Sequence, residues 1–294
     1  MEALKRTFNF INTHPLARHN KLLALWKFVT WQIKCRINRG LILIPFIEGT
    51  KVYAQKGLTG ITGNIYTGLH EFNDMAFLLH FLRDTDVFFD VGANVGSYTI
   101  LASGVCGSKT LAFEPIKSTF NILSKNVVIN NLSKLVGVEN IGIGKEEGLL
   151  VFTTKEDTGN HILAKNENSE EVIEVRMKNI DSYLSYQPSL IKIDVEGFET
   201  EVLNGANEIL KTDQLKAIII ELNGSSERYG YSDDEIHKKL LAHSFKPYSY
   251  NAFQRQVNEL PGYGQFNTIY LRDTDLVISR LKAAKKFNVF NTSI

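Results

Sequence analysis

The chain predicts an α/β domain built on a doubly wound, mostly parallel sheet, and three observations carry that expectation. From Tyr66 onward, short apolar runs of strand length alternate with amphipathic segments of helix length, the pattern of repeated β-α-β units. The run over 87–91 leads into Gly92 and Gly96 and then into a helix start at Ser97, so strand, glycine loop and helix follow in order. A second strand ends at Glu114, 24 residues past Asp90, which is the span of one β-α-β unit.

Residues 1–65 read as an N-terminal extension with an amphipathic helix and short strands, and residues 66–294 as the main domain. Over 21–39 the spacing is helical, with Leu22, Leu25, Trp26, Val29 and Ile33 on one side among Arg18, Lys21, Lys27, Lys34, Arg36 and Arg39. Such a helix packs on the main domain or a dimer mate, or lies on an anionic membrane surface. Both readings stay open, and the oligomeric state with them. Short β-type runs over 41–47 and 51–55 are split by Pro45 and Gly49.

In the main domain 73–82 has helical periodicity, and 87–91 is an apolar run fit for a buried strand. Helices are expected over 97–105, 118–130, 199–211 and 233–243, and strands over 110–113, 136–143, 190–195, 217–222, 245–250 and 267–271. Alternation over 149–154 and 172–177 predicts an antiparallel pair, joined by a polar connector over 155–171 that contains His161.

Composition is that of an ordinary globular protein, with 44% hydrophobic and 22% charged residues. The net charge of +1 gives no global pull toward nucleic acid, and none is expected as a partner. Two distant cysteines, Cys35 and Cys106, make no disulfide framework and no metal motif. With no signal peptide and no apolar run of spanning length, the expectation is a cytoplasmic protein, its membrane contact limited to the N-terminal helix.

The segment from Val87 to Thr99 carries the most chemistry. Its glycines fall as G-x-N-x-G (Gly92, Asn94, Gly96), one residue shorter than the dinucleotide pattern and preceded by Asp90. Glycines there permit a tight turn and close approach of a ligand, at the free N–H groups of a helix start. A carboxylate at Asp90 repels a phosphate but suits the ammonium of an amino-acid tail, as in S-adenosyl-L-methionine. Glu114 ends the next strand, where a carboxylate accepts ribose hydroxyls, and a buried Glu without a partner would be costly.

The loop, the Phe113-Glu114-Pro115 strand end, Asn126 and Asn130, and the run Ile191-Lys-Ile-Asp194-Val-Glu196-Gly197-Phe-Glu199 occur together and in order. So do Glu201-Val-Leu203-x-Gly205-Ala and Ile218-Ile-Ile-Glu221. Over about 66–250 this combination resembles the FkbM family of methyltransferases. The resemblance implies a class I methyltransferase fold, a seven-stranded sheet with an antiparallel edge hairpin. It also implies S-adenosylmethionine as cofactor and methyl transfer to a hydroxyl of a sugar, lipid or secondary metabolite.

Asp90, Gly92, Asn94, Gly96 and Glu114 are the expected cofactor residues, with Glu71, just before the first helix of the domain, at the cofactor's edge. An alcohol acceptor gains from a base that takes its proton. Asp194 is the first choice, Glu196 the second, and His161 a third on the connector. Glu199 and Glu201 read as charges that decorate a helix N-terminus. Asp194, Glu221 and Asn223 are oxygen ligands at neighbouring strand ends, but ordinary hydrogen bonding accounts for them and no metal is assigned. Two other classes remain open: a nicotinamide-dependent oxidoreductase, opposed by the loop spacing and by Asp90, and a non-catalytic binding protein with a degenerate fold, opposed by the full set of loop and strand-end residues.

Overall fold

The computed structural model describes residues 2–153, 162–163 and 172–294. The chain begins with α1 (Glu2–Thr13), α2 (Lys21–Ile37) and a hairpin of β1 (Ile42–Pro45) and β2 (Lys51–Ala54), followed by α3 (Thr59–Thr67). The helix α3 runs across the junction between residues 65 and 66. After α4 (Phe72–Phe81) come the units β3 (Val87–Val91), α5 (Ser97–Ile100), β4 (Lys109–Phe113), α6 (Lys117–Ile129) and β5 (Val136–Glu139). A small sheet follows: β6 (Gly142–Ile143), β7 (Gly148–Thr153) and β8 (Val172–Lys178), in the order β6-β8-β7.

The remaining elements are β9 (Leu190–Ile193), α7 (Glu199–Asn204), β10 (Ala217–Glu221), α8 (Asp233–Ala242), β11 (Lys246–Asn251), β12 (Gln256–Glu259), β13 (Asn267–Leu271) and α9 (Thr274–Ala283). A terminal hairpin of β14 (Asn288–Val289) and β15 (Thr292–Ser293) closes the chain. The main sheet has eight strands in the order β12-β11-β13-β10-β9-β3-β4-β5. From β10 to β5 neighbouring strands are parallel; β13, β11 and β12 are antiparallel additions. The expected α/β class therefore holds. The sheet has one strand more than the seven expected, because β12 hydrogen-bonds to β11 and forms the edge.

Every residue of β9 is buried, as are the apolar residues of β10, because helices cover both faces of the sheet. One face packs on the extension, α4, α5, α9 and the C-terminal tail, and the other on α7 and α8. Ala24, Phe28 and Trp31 of α2 belong to the first of these cores, together with Phe287, Val289 and Phe290 of the tail. The tail also fixes α2 directly: the Lys27 ammonium sits 5.4 Å from the Phe290 ring centre.

Besides shifts of a residue or two, and the helix over 97–105, which continues past α5 as a π-helical turn, three expected boundaries change. The strand over 136–143 is two strands in two sheets, because Asn140 turns the chain and donates to the carbonyls of Glu114 and Pro115 (2.9 and 2.8 Å). The helix over 199–211 stops at Gly205, whose Cα lies so close to the Gly144 carbonyl that a side chain there would collide with it. The strand over 190–195 ends at Ile193, which places Asp194 on the loop that follows. The antiparallel pairing of 149–154 with 172–177 is present as β7–β8.

Candidate functional site

The carboxyl ends of β4, β3, β9 and β10 open on one cavity of about 260 Å³, the position where open α/β sheets bind ligands. Register decides which side chains meet there. Asp90 lies opposite Lys192, and Ile193 is paired with both Val91 and Ile220, so Asp194 has Gly92 on one side and Glu221 on the other.

The loop after β3 folds back on β4: the N–H groups of Gly92 and Ala93 both donate to Phe113 O at 3.0 Å. Gly92 has φ +81°, and a Cβ there would stand 1.8 Å from the Asp194 carbonyl oxygen. The sequence reading gave this space to a ligand, but the atom that first needs it is protein backbone. Asn94 is also left-handed (φ +52°), a conformation that Asn tolerates, and its Oδ1 accepts from Val95 N–H. Gly96 is the left-handed residue ahead of α5, and Leu123 packs where its side chain would be.

Glu114 is buried, and its two carboxylate oxygens are held from both sides. Oε2 accepts from Asn94 N–H (2.9 Å) and Oε1 from Ile116 N–H (2.8 Å). Each oxygen has a second lone pair, and the residue lines the cavity. Burial pushes its carboxyl up to about 7, against the pull of those two N–H groups. Asp90 is buried as well and accepts from Thr99 Oγ1 at 2.6 Å; burial pushes it up to about 6, opposed by Lys192.

Lys192 escaped the sequence reading. It is 3% exposed, and its Nζ donates to Asp194 Oδ2 at 2.6 Å and stands 4.7 Å from the Tyr98 ring centre. Burial works against its charge, yet Asp194, Glu71 and Asp90 together hold the ammonium above the ordinary lysine range. The missed signal was period-two alternation: in Ile191-Lys192-Ile193-Asp194 the lysine and the aspartate share a face, and a lysine inside an apolar strand needs such a partner.

Glu71 accepts from Tyr98 OH (2.7 Å) and Asn267 Nδ2 (2.8 Å) and lines the cavity. Glu196, left-handed at φ +55°, lines the same cavity. Glu221 does so at the end of β10; burial, with Asp194 and Glu196 adding their negative charge, pushes its carboxyl up to about 8. Apolar residues complete the wall: Ile116, Ile141, Ile143, Phe152, Ile162 and Phe198. Asp90, Gly92, Asn94, Glu114, Glu71, Asp194 and Glu196 are thus gathered at one cavity, with Gly96 in the loop beside it. His161 lies outside the described residues.

Glu199 needs correcting. It does not merely decorate a helix end: it is buried, and its Oε1 accepts from Val195 and Gly197 N–H (3.0 and 3.3 Å), closing the loop that carries Glu196. Glu201 accepts instead from Tyr231 OH and Asn204 Nδ2, both at 2.9 Å. Among the described residues no group of three or more His, Cys, Asp or Glu side chains is arranged to hold a metal ion.

Comparison with known proteins finds methyltransferases among those similar to this chain. Methyltransferase 1 of Beauveria bassiana is 27% identical over 184 residues, 54% of this chain and 73% of that protein. Hexuronic acid methyltransferase AglP of Haloferax volcanii is 28% identical over 155 residues, 50% of this chain and 59% of that protein. The crystal structure of methyltransferase FkbM from Methylobacillus flagellatus overlays 72% of this chain on 53% of its own, with 16% identity and a TM-score of 0.45. The family model for the methyltransferase FkbM domain matches residues 90–247, from the first carboxylate of the glycine loop to the start of β11, and the chain belongs to that family of methyltransferases.

Proposed function

We propose that the cavity binds S-adenosylmethionine and that the protein transfers its methyl group to a hydroxyl of an uncharged acceptor such as a sugar or glycolipid. The observation that carries this is Glu114, a buried carboxylate braced by two backbone N–H groups and facing the cavity across the glycine loop from Asp90. The residues present fit this cofactor. Glu114 accepts the ribose hydroxyls, Asp90 and Glu71 face the amino-acid ammonium, and the apolar wall takes the adenine. When bound, S-adenosylmethionine supplies a methyl group already activated on a sulfonium. The protein's own work is then largely alignment and exclusion of water.

We assign proton acceptance to Glu221. Its raised proton affinity suits a general base near neutral pH. Asp194, the first choice from sequence, is committed to Lys192: a proton on it would take from a buried ammonium its closest counter-charge. It serves here as a positioning residue for Lys192. Residues 1–65 are an extension of the catalytic domain, whose helix α3 walls the cavity through Gly60, Ile61 and Asn64.

Charge argues for the acceptor class. Glu71, Asp90, Glu114, Asp194, Glu196 and Glu221 line the cavity, with Lys192 the one Lys or Arg side chain among its described lining residues. That lining disfavours an anionic acceptor, so a hexuronate, the substrate class in the Haloferax protein's name, is not the expected acceptor here. Incubation with methyl-labelled S-adenosylmethionine and paired acceptors, a neutral glycoside against the matching glycosiduronate, tests this. Label is expected in the neutral sugar as an alkali-stable ether. Preference for the uronate removes the charge argument, and label on nitrogen or carbon removes the hydroxyl assignment.

A further inference from the structure

We infer that the outward face of α2 docks this protein on a membrane surface rich in anionic lipid. The helix is apolar on two opposite sides. Ala24, Phe28 and Trp31 are buried against the domain. On the other side Leu22 (85% exposed), Trp26 (63%), Val29 (52%), Ile33 (50%) and Ile37 (82%) form a solvent-facing stripe. At 100° per residue these five fall within an arc of about 80°. A helix that buries one apolar stripe and exposes a second has a use for the second.

Charge identifies what covers it. Residues 1–56 carry ten Lys and Arg against two Glu, a net +8, so the rest of the chain carries −7 of its +1. From residue 3 to 47 there is no acidic side chain at all. Lys21, Lys34 and Arg36 on the helix are exposed, as are Lys5, Arg6 and Arg18 beside it. A second copy of this chain would bring the same positive stripe, with no acid to pair against it. Anionic lipid headgroups complement the charge, lipid tails accept the aliphatic side chains, and Trp26 belongs at the boundary between them. Nucleic acid would meet the charge but not the apolar stripe.

The docking face has a route to the cavity. Behind it α2 packs on α3, with the Phe28 and Tyr66 ring centres 5.3 Å apart and Gln32 Nε2 donating to Tyr66 OH at 3.2 Å. The other side of α3 presents Gly60, Ile61 and Asn64 to the cavity. A surface-bound enzyme thereby holds its cavity one helix layer from the lipid, where a lipid-linked acceptor is found. Docking itself does not depend on the cofactor assignment.

The full chain is tested by flotation with vesicles of phosphatidylcholine alone or with one third phosphatidylglycerol, at low and high salt. Binding is expected only to the anionic vesicles and falls with salt. Leu22→Gln with Ile33→Gln, and separately Lys34→Glu with Arg36→Glu, are each expected to weaken it by about tenfold or more with an unchanged melting temperature, since all four positions face solvent. Added anionic vesicles should shift tryptophan emission to the blue in the parent, and not in Trp26→Phe, where only buried Trp31 remains. Equal flotation of parent and variants, or none by the parent, overturns the proposal. So does a lipid-free dimer that Leu22→Gln with Ile33→Gln dissociates, or RNA binding that the charge reversals abolish while flotation persists.

Discussion

Asp194 and Glu221 lie at the ends of neighbouring parallel strands and line one cavity, yet their surroundings differ. Lys192 holds the first at 2.6 Å, while burial and the charges of Asp194 and Glu196 raise the second to about 8. If Glu221 takes the acceptor proton, turnover rises as pH passes through about 8, because the base works deprotonated. Glu221→Gln is expected to lower kcat by about 10²–10⁴-fold and abolish that inflection, with cofactor affinity little changed. Asp194→Asn is expected to keep an inflection, moved to lower pH because one of the charges that raise Glu221 is gone, and to lower the melting temperature, since Lys192 loses its closest counter-charge. A pH–rate profile of both variants decides, and an inflection lost in Asp194→Asn but kept in Glu221→Gln returns the base to Asp194.

At the scale of elements, the β1–β2 hairpin is tied down by Asn126 of α6 and by Asn130, which caps that helix. Asn126 Oδ1 accepts from Tyr53 N–H (2.6 Å) while its Nδ2 donates to Val95 O (2.7 Å), so one side chain joins β2 to the glycine loop. Asn130 exchanges a pair of bonds with Lys51, N–H to Oδ1 at 2.8 Å and Nδ2 to O at 2.6 Å. Asn126 is fully buried, so Asn126→Ala is expected to cost about 1–3 kcal/mol, and Asn130→Ala, at the exposed end, less. Hydrogen exchange at the Tyr53 amide reads the difference; protection unchanged in Asn126→Ala would contradict the splint. The two asparagines were visible in the sequence as part of the family pattern, but their partners, which lie 73 and 79 residues away, were not. What was legible were elements whose burial writes a period into the chain: β3, β4, β9 and β10 as apolar runs, α4 and α6 at helical spacing. What was not legible depends on tertiary contact. The Gly- and Thr-rich sequence of α3 has weak helix propensity and is helical where α2 covers it. The strand β12 has no buried residue and exists as the hairpin partner of β11.

Over the whole molecule, the site carries buried acid that the folded chain holds partly protonated. Asp74, Glu114 and Glu199 are each raised to about 7 and Glu221 to about 8, in every case chiefly by burial. A carboxyl raised on folding contributes stability that is full below its unfolded value and is lost as pH climbs through the folded one. His14 and His80 run the other way: burial lowers each to about 4, so they cost stability only as pH falls below the ordinary histidine value. Between pH 6.5 and 8.5 the carboxyls therefore act alone, and the melting temperature of the ligand-free protein is expected to fall across that window. A flat or rising profile would mean that the acids are solvated in the folded chain. The exposed stripe of α2, by contrast, leaves this profile unaltered, because it holds no acid.

Glu114 is expected to read a ribose within a cofactor that carries an amino-acid tail. Calorimetric titration with S-adenosylhomocysteine and its 2′,3′-dideoxy analogue, against wild type and Glu114→Gln, tests it in one cycle, with NAD as a control. Gln keeps the size of the side chain and an oxygen for one backbone N–H. Wild type is expected to bind S-adenosylhomocysteine and not NAD, and to lose about 1.5–3 kcal/mol either on removal of the hydroxyls or on Glu114→Gln. The two losses should not add, since they break the same bonds. Fully additive losses would show that Glu114 does not touch the ribose, and tighter binding of NAD than of S-adenosylhomocysteine would overturn the cofactor assignment.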